Sequence, residues 1–115
     1  MSGPRRHHAG CVVAAGLVVI AALLPIGAEV PALPPASVEI QDSTYVPSTL
    51  TVPAGTTVRW TNRDEETHTV TSDKGLFGSA GLDLAESFTY TFTTPGVYPY
   101  SCDLHPFMQG TIVVN

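Results

Sequence analysis

Basic residues are scarce in this chain of 115 residues, which carries five Lys and Arg against ten Asp and Glu. Arg5 and Arg6 account for two of the five, so beyond residue 28 only Arg59, Arg63 and Lys74 stand against all ten acids, a formal balance of −7 compared with −5 for the whole chain. Binding to a phosphate backbone needs the opposite sign, so nucleic acid is excluded as a partner. Charged residues of either sign make up only 13% of the sequence. Cysteine is nearly absent, at Cys11 and Cys102, so no disulfide framework holds the fold together. What the chain does have is ten Pro, ten Gly and many Thr and Val, a composition of short strands and frequent turns. At this length it allows one domain with one small core.

The first 28 residues read as an export leader. Arg5 and Arg6 precede an apolar run from Cys11 to Leu24, followed by Pro25, Gly27 and a small-residue cleavage site at Ala28. Extended to Ala28, the run reaches the lower limit for a membrane span, so a cleaved signal peptide and an uncleaved N-terminal anchor with the arginines inside both remain open. Either way the domain is expected outside the cytoplasm, in the periplasm or at the cell surface, touching a membrane only through an uncleaved leader. Residues 29–36, with Pro31, Pro34 and Pro35, suit an extended linker, and residues 37–115 form the domain.

Within the domain the period is two. Val38 to Gln41 reads as a first strand and Tyr45 to Val52 as an extended segment into a second, ended by Pro53-Ala54-Gly55. Thr57 to Asn62 alternates Val58 and Trp60 with polar neighbours. A strand from His68 to Ser72 puts His68 and Val70 on one face, toward the core. Lys74 to Leu84 is a Gly-rich loop, with a helical turn expected near Asp83 to Glu86. Phe88, Tyr90 and Phe92 alternate with threonines, and Thr94-Pro95-Gly96 makes a turn. In Val97 to Cys102 the residues Tyr98, Tyr100 and Cys102 share a face, with Pro99 opposite, and Thr111 to Val114 closes the chain. The expected fold is an all-β sandwich of seven or eight short strands.

The segment after Val97 carries the chemistry. Cys102, His105 and Met108 follow one another at three-residue intervals, so a thiolate, an imidazole and a thioether can reach a common point from one tight loop. Pro106 stiffens that loop and Gly110 is expected to allow its turn back into the last strand. Of the four histidines, His7 and His8 lie in the leader, which leaves His68 as the second imidazole. Two His and one Cys in a plane with a long axial Met is the donor set of a type 1 copper centre, so His68, Cys102, His105 and Met108 are the candidate ligands. Zinc is disfavoured because Met is a poor ligand for it. Copper also accounts for an unpaired exported thiol: a metal-bound thiolate is protected from exchange and oxidation. The chain contains no His-x-His pair and no second metal set, which argues against a multicopper oxidase and against an enzyme.

From Val38 to Val114 the sequence resembles the cupredoxins of the amicyanin and plastocyanin type. The similarity lies in Val46-Pro-Ser-Thr-Leu-Thr-Val-Pro-Ala-Gly-Thr-Thr-Val-Arg-Trp-Thr-Asn62, in Phe92-Thr-Thr-Pro-Gly-Val-Tyr-Pro-Tyr-Ser-Cys102, and in His105-Pro-Phe-Met-Gln-Gly110. The short ligand loop is similar to that of amicyanin. The resemblance implies a Greek-key sandwich, the same four ligands, and a monomeric one-electron carrier that exchanges electrons with redox partners. The alternative is an extracytoplasmic copper-binding or copper-delivery protein. The sequence departs from the family at Thr67 and Thr69, where Pro and Asn usually flank the first ligand, and at Asp103 after the Cys. The family's Asn pins the two ligand loops together; Thr69 must do so with a shorter hydroxyl. Leu104, His105, Pro106 and Phe107 form an apolar loop where a redox protein, basic and cytochrome-like given the charge balance, is expected to dock.

Overall fold

A computed structural model describes residues 33–115, together with residues 2–4, 10 and 16. The rest of the leader, and the linker as far as residue 32, lie outside the described residues. Among the described residues no helix is long and apolar enough to cross a membrane. The domain has eight strands: β1 (Ala36–Gln41), β2 (Thr44–Val46), β3 (Thr49–Val52), β4 (Thr56–Asn62), β5 (Thr71–Ser72), β6 (Ser87–Phe92), β7 (Gly96–Ser101) and β8 (Gln109–Val114). They form two four-stranded sheets, in the orders β2-β1-β4-β6 and β3-β8-β7-β5. β1 pairs parallel to β4 and β3 parallel to β8, and the other pairings are antiparallel.

Alternation builds the core, as the sequence predicts. Val58 and Trp60 on β4 are fully buried, in one core with Tyr100 and Ile112 from the other sheet. Trp60 is the hub, with ring centroids of Tyr100 at 5.5 Å, Phe88 at 5.8 Å and Phe77 at 6.0 Å. Burying aromatics of this size supplies most of the cohesion a domain this small can have.

Three local expectations change. The stretch from Tyr45 to Val52 is two strands, because Pro47 cannot donate to a ladder and separates β2 from β3. β5 is only two residues long, since the preceding amides are bound elsewhere: Thr69 N–H donates to Cys102 Sγ and Val70 N–H to the Ser79 hydroxyl. The backbone of His68 pairs only through an isolated bridge to Leu82. The segment Asp83–Glu86 is a tight turn rather than a turn of helix, closed by Glu86 N–H to the Asp83 carbonyl with Ala85 at φ 69°.

These connections gather four loops at one end. The β1–β2 hairpin tip, Asp42 and Ser43, has both residues in the left-handed region, at φ 51° and 54°. The β4–β5 loop binds that tip, the segment around Leu82 binds His68 through two backbone hydrogen bonds of 2.7 and 3.1 Å, and the β7–β8 loop lies against Thr69. Asn62, fully buried at the end of β4, holds the β4–β5 loop in shape. Its Nδ2 donates to the carbonyls of Glu66 and Leu82, and its Oδ1 accepts Asp64 N–H.

Candidate metal centre

His68, Cys102 and His105 present their donor atoms to one point. The two Nδ1 atoms are 3.2 Å apart, and Cys102 Sγ lies 3.9 Å from that of His68 and 3.8 Å from that of His105. A first-row metal ion held about 2.0 Å from nitrogen and about 2.3 Å from sulfur would separate planar donors by roughly 3.5–3.7 Å, the size of this triangle. Among the described residues this is the one cluster of His, Cys and carboxylates with metal-binding spacing. His68 and Cys102 are buried, and His105 is partly exposed. Met108 is also buried, and its backbone closes the loop: its N–H donates to the His105 carbonyl and its carbonyl accepts Cys102 N–H.

The imidazole orientations are set from behind. Asp64 Oδ2 is 2.8 Å from His68 Nε2, so the proton sits on Nε2 and the Nδ1 lone pair faces the cluster. The same carboxylate accepts the N–H groups of Asp42 and Ser43, both at 2.8 Å. Partial burial acts to raise the Asp64 carboxyl, but the Ser43 and Asp42 amides and then His68 outweigh it and hold it below the usual carboxylate range. On the other ligand, Glu66 Oε2 stands 3.5 Å from His105 Nε2. Asp64, in the acidic run 64–66, is the residue that sequence reasoning missed: its carboxylate orients the His68 ring. The signal available in sequence is its position four residues before His68.

Thr69 joins the two ligand segments. Its N–H donates to Cys102 Sγ at 3.3 Å, and its hydroxyl accepts Asp103 N–H at 2.9 Å and is hydrogen-bonded to the Thr71 hydroxyl at 3.0 Å. Its carbonyl accepts the Tyr45 hydroxyl at 2.6 Å; burial first, then the Cys102 charge, pushes that phenol far above its usual range, so it stays a donor. The shorter hydroxyl therefore does reach the second loop. Asp103 uses its backbone for this contact and is itself exposed. Thr69→Val keeps the shape and removes the hydroxyl, leaving Asp103 N–H unpaired. It is expected to cost about 1–2 kcal/mol and to speed copper loss roughly tenfold, whereas Thr69→Ser restores both. Urea melts of the metal-free chain and dissociation into a chelator measure the two effects.

A two-sheet sandwich that brings two imidazole Nδ1 atoms and a thiol together at one end, over loops tied by an amide-to-sulfur bond, defines a mononuclear copper-protein scaffold. The sequence pattern of the cupredoxin-like domain matches residues 13–114, and the chain belongs to the cupredoxin-like family, amicyanin and plastocyanin-like. It is 37% identical over 83 residues to an amicyanin of Paracoccus denitrificans, covering 68% of this chain and 63% of that one. The chain thus spans less than two thirds of that relative. A plastocyanin of Scenedesmus fuscus is 32% identical over 84 residues, covering 62% of this chain and 86% of the relative. The solved structure of a purple cupredoxin from Nitrosopumilus maritimus superposes with a TM-score of 0.65 at 34% identity, over 70% of this chain and 99% of that one. The donor set and the family both fit one type 1 copper ion as the cofactor.

Proposed function

We propose that this protein is a one-electron carrier outside the cytoplasm, with one type 1 copper ion held by His68, Cys102, His105 and Met108. The observation that carries this reading is the donor triangle with both Nε2 atoms turned toward carboxylates outside it, because that leaves two Nδ1 lone pairs and a thiol converging on one point. Copper, when bound, supplies the one-electron couple between Cu(II) and Cu(I). The chain's part is to keep the donors still. His68 is locked by Asp64, Cys102 by Thr69 N–H, and the loop by Met108 N–H to the His105 carbonyl. Donors that do not move between oxidation states leave little reorganisation to slow the transfer. His105 is the ligand with an exposed edge, and Leu104, Pro106 and Phe107 around it are exposed. Phe107, 73% exposed, is not core, and its ring meets the His105 ring edge-on at 5.9 Å. That loop is where a redox protein is proposed to dock.

Electron carriage and copper delivery separate on one comparison. Reduced protein mixed with oxidised protein should exchange electrons rapidly, as read by NMR line broadening, while retaining Cu(I) against a competing acceptor. Slow exchange together with ready surrender of Cu(I) would assign the protein to delivery.

A further inference from the structure

The two imidazoles of the donor triangle are backed in unequal ways. Asp64, its side chain 15% exposed, gives His68 Nε2 a carboxylate oxygen at 2.8 Å and is itself fixed by the Asp42 and Ser43 amides. His105 has Glu66, 68% exposed, with Oε2 at 3.5 Å from Nε2. Distance and exposure make this the weaker contact, yet its surroundings make it specific. The Glu66 backbone is held in place: its carbonyl accepts the buried Asn62 Nδ2 at 2.8 Å, and the next residue, Thr67, is tied through its hydroxyl to Asp83. Among the described residues no Lys or Arg pairs with the carboxylate, since Arg63 is taken by Glu39 and Lys74 reaches the Val97 carbonyl. Phe107 meets the His105 ring edge-on at 5.9 Å and offers it no acceptor.

We propose that Glu66 is the positioning residue of the exposed ligand, and that its charge holds the copper potential below what the donor set alone would give. Two effects are separable. As an acceptor, the carboxylate favours the proton on His105 Nε2 and so leaves the Nδ1 lone pair facing Cys102 Sγ. It does so against a competitor, because His68 Nδ1, 3.2 Å from His105 Nδ1, is an acceptor that draws the proton the other way. As a negative charge on the far side of the ring, Glu66 favours the state of the site with more positive charge, Cu(II) over Cu(I). An exposed pair of this kind contributes little to folding stability, so its consequence appears in ligand orientation and potential and not in a melt. The potential rests on the copper-carrier reading; the place of the ring proton does not.

The metal-free full chain tests the first effect, by NMR of the His105 ring nitrogens under alkaline conditions that keep the ring neutral. Glu66→Ala should raise the share of the Nδ1–H tautomer roughly threefold. Glu66→Gln, which keeps an acceptor oxygen, should largely restore the parent balance, and urea melts of all three proteins should superimpose. Midpoint potentials of the copper-loaded chain test the second effect. Glu66→Gln should shift the ratio of Cu(II) to Cu(I) affinity roughly threefold toward Cu(I), a rise of about 28 mV at about 59 mV per tenfold for one electron. Glu66→Lys should shift it roughly tenfold, about 59 mV. Glu65→Gln, which removes the same charge one residue earlier in the loop, should move the potential by less than half as much as Glu66→Gln. A His105 tautomer indifferent to Glu66→Ala overturns the positioning role. Equal shifts from Glu66→Gln and Glu65→Gln overturn the specific charge effect and leave only the net charge of the loop. A chain that stays colourless with copper while Glu66→Ala still moves the ring proton would overturn the carrier reading and leave Glu66 as the residue that orients His105.

Discussion

Cys102→Ser should give a folded protein that binds copper without the intense visible absorption of a thiolate–copper bond and loses the ion readily. The thiol is 1% exposed, at one corner of the donor triangle, and accepts the Thr69 N–H. A serine hydroxyl can accept the same hydrogen bond and fills a similar volume, so the metal-free variant should melt within about 1 kcal/mol of the parent. As a ligand it fails, since a hard neutral hydroxyl replaces the soft thiolate that selects copper. Residues that merely orient ligands are worth roughly 10–100-fold in metal affinity, so losing a direct ligand should cost more than that. A spectrophotometric titration beside a thermal melt of the metal-free chain separates the two effects. A variant that keeps both colour and affinity would place the metal elsewhere.

Gly110→Ala is expected to be the most destabilising single methyl addition near the site. Gly110 sits in β8 directly across from Tyr100 in β7, and a Cβ there would lie 2.7 Å from Tyr100 Cε2 and closer still to Cζ and the hydroxyl. The Tyr100 ring cannot swing away. It is fully buried between Tyr45, at 4.7 Å, and Trp60, at 5.5 Å. Burial also pushes its phenol up to about 12, partly offset by the Trp60 indole N–H, although neither group has a partner at full hydrogen-bond geometry. Overpacking of this kind costs about 1–3 kcal/mol, against a total stability of about 5–15 kcal/mol for a typical domain. Tyr100 and Gly110 bracket the loop that carries three of the four proposed ligands, so copper should also be held less tightly. Tyr100→Leu in the Gly110→Ala background should recover part of the loss, and urea melts of the two single variants and the pair show it as non-additivity. A Gly110→Ala protein as stable as the parent would mean that the β7–β8 pairing differs from the one described.

The parts of this protein that were legible in the sequence are those governed by one strand's own alternation. Val58 and Trp60, and then Phe88, Tyr90 and Phe92, repeat every second residue because each strand has one face to bury, and they lie in β4 and β6 as that period requires. Two of the three residues that the structure clusters, Cys102 and His105, are close in sequence, and His68 follows by being the one imidazole left outside the leader. Features set by distant partners were not legible. Nothing local says that the Thr69 amide is taken by a sulfur 33 residues on, and it is this bond that shortens β5. Gly110 read as a turn residue, whereas it lies inside β8 and its missing side chain makes room for Tyr100 across the sheet. Asp64 does not stand out in the sequence, because its three hydrogen-bond donors come from a hairpin 21 and 22 residues earlier and from His68. How far Phe107 stands out is set by the folded loop, which leaves it 73% exposed.

The most direct test of a shared copper centre is a titration of the purified protein with Cu(II), followed by visible and electron paramagnetic resonance spectroscopy. One equivalent should produce an intense thiolate-to-copper band and a type 1 signal, with no further change beyond it. A protein that stays colourless, or one that takes up copper with the spectrum of ordinary nitrogen and oxygen ligation, would contradict the convergence of His68, Cys102, His105 and Met108 on a single ion.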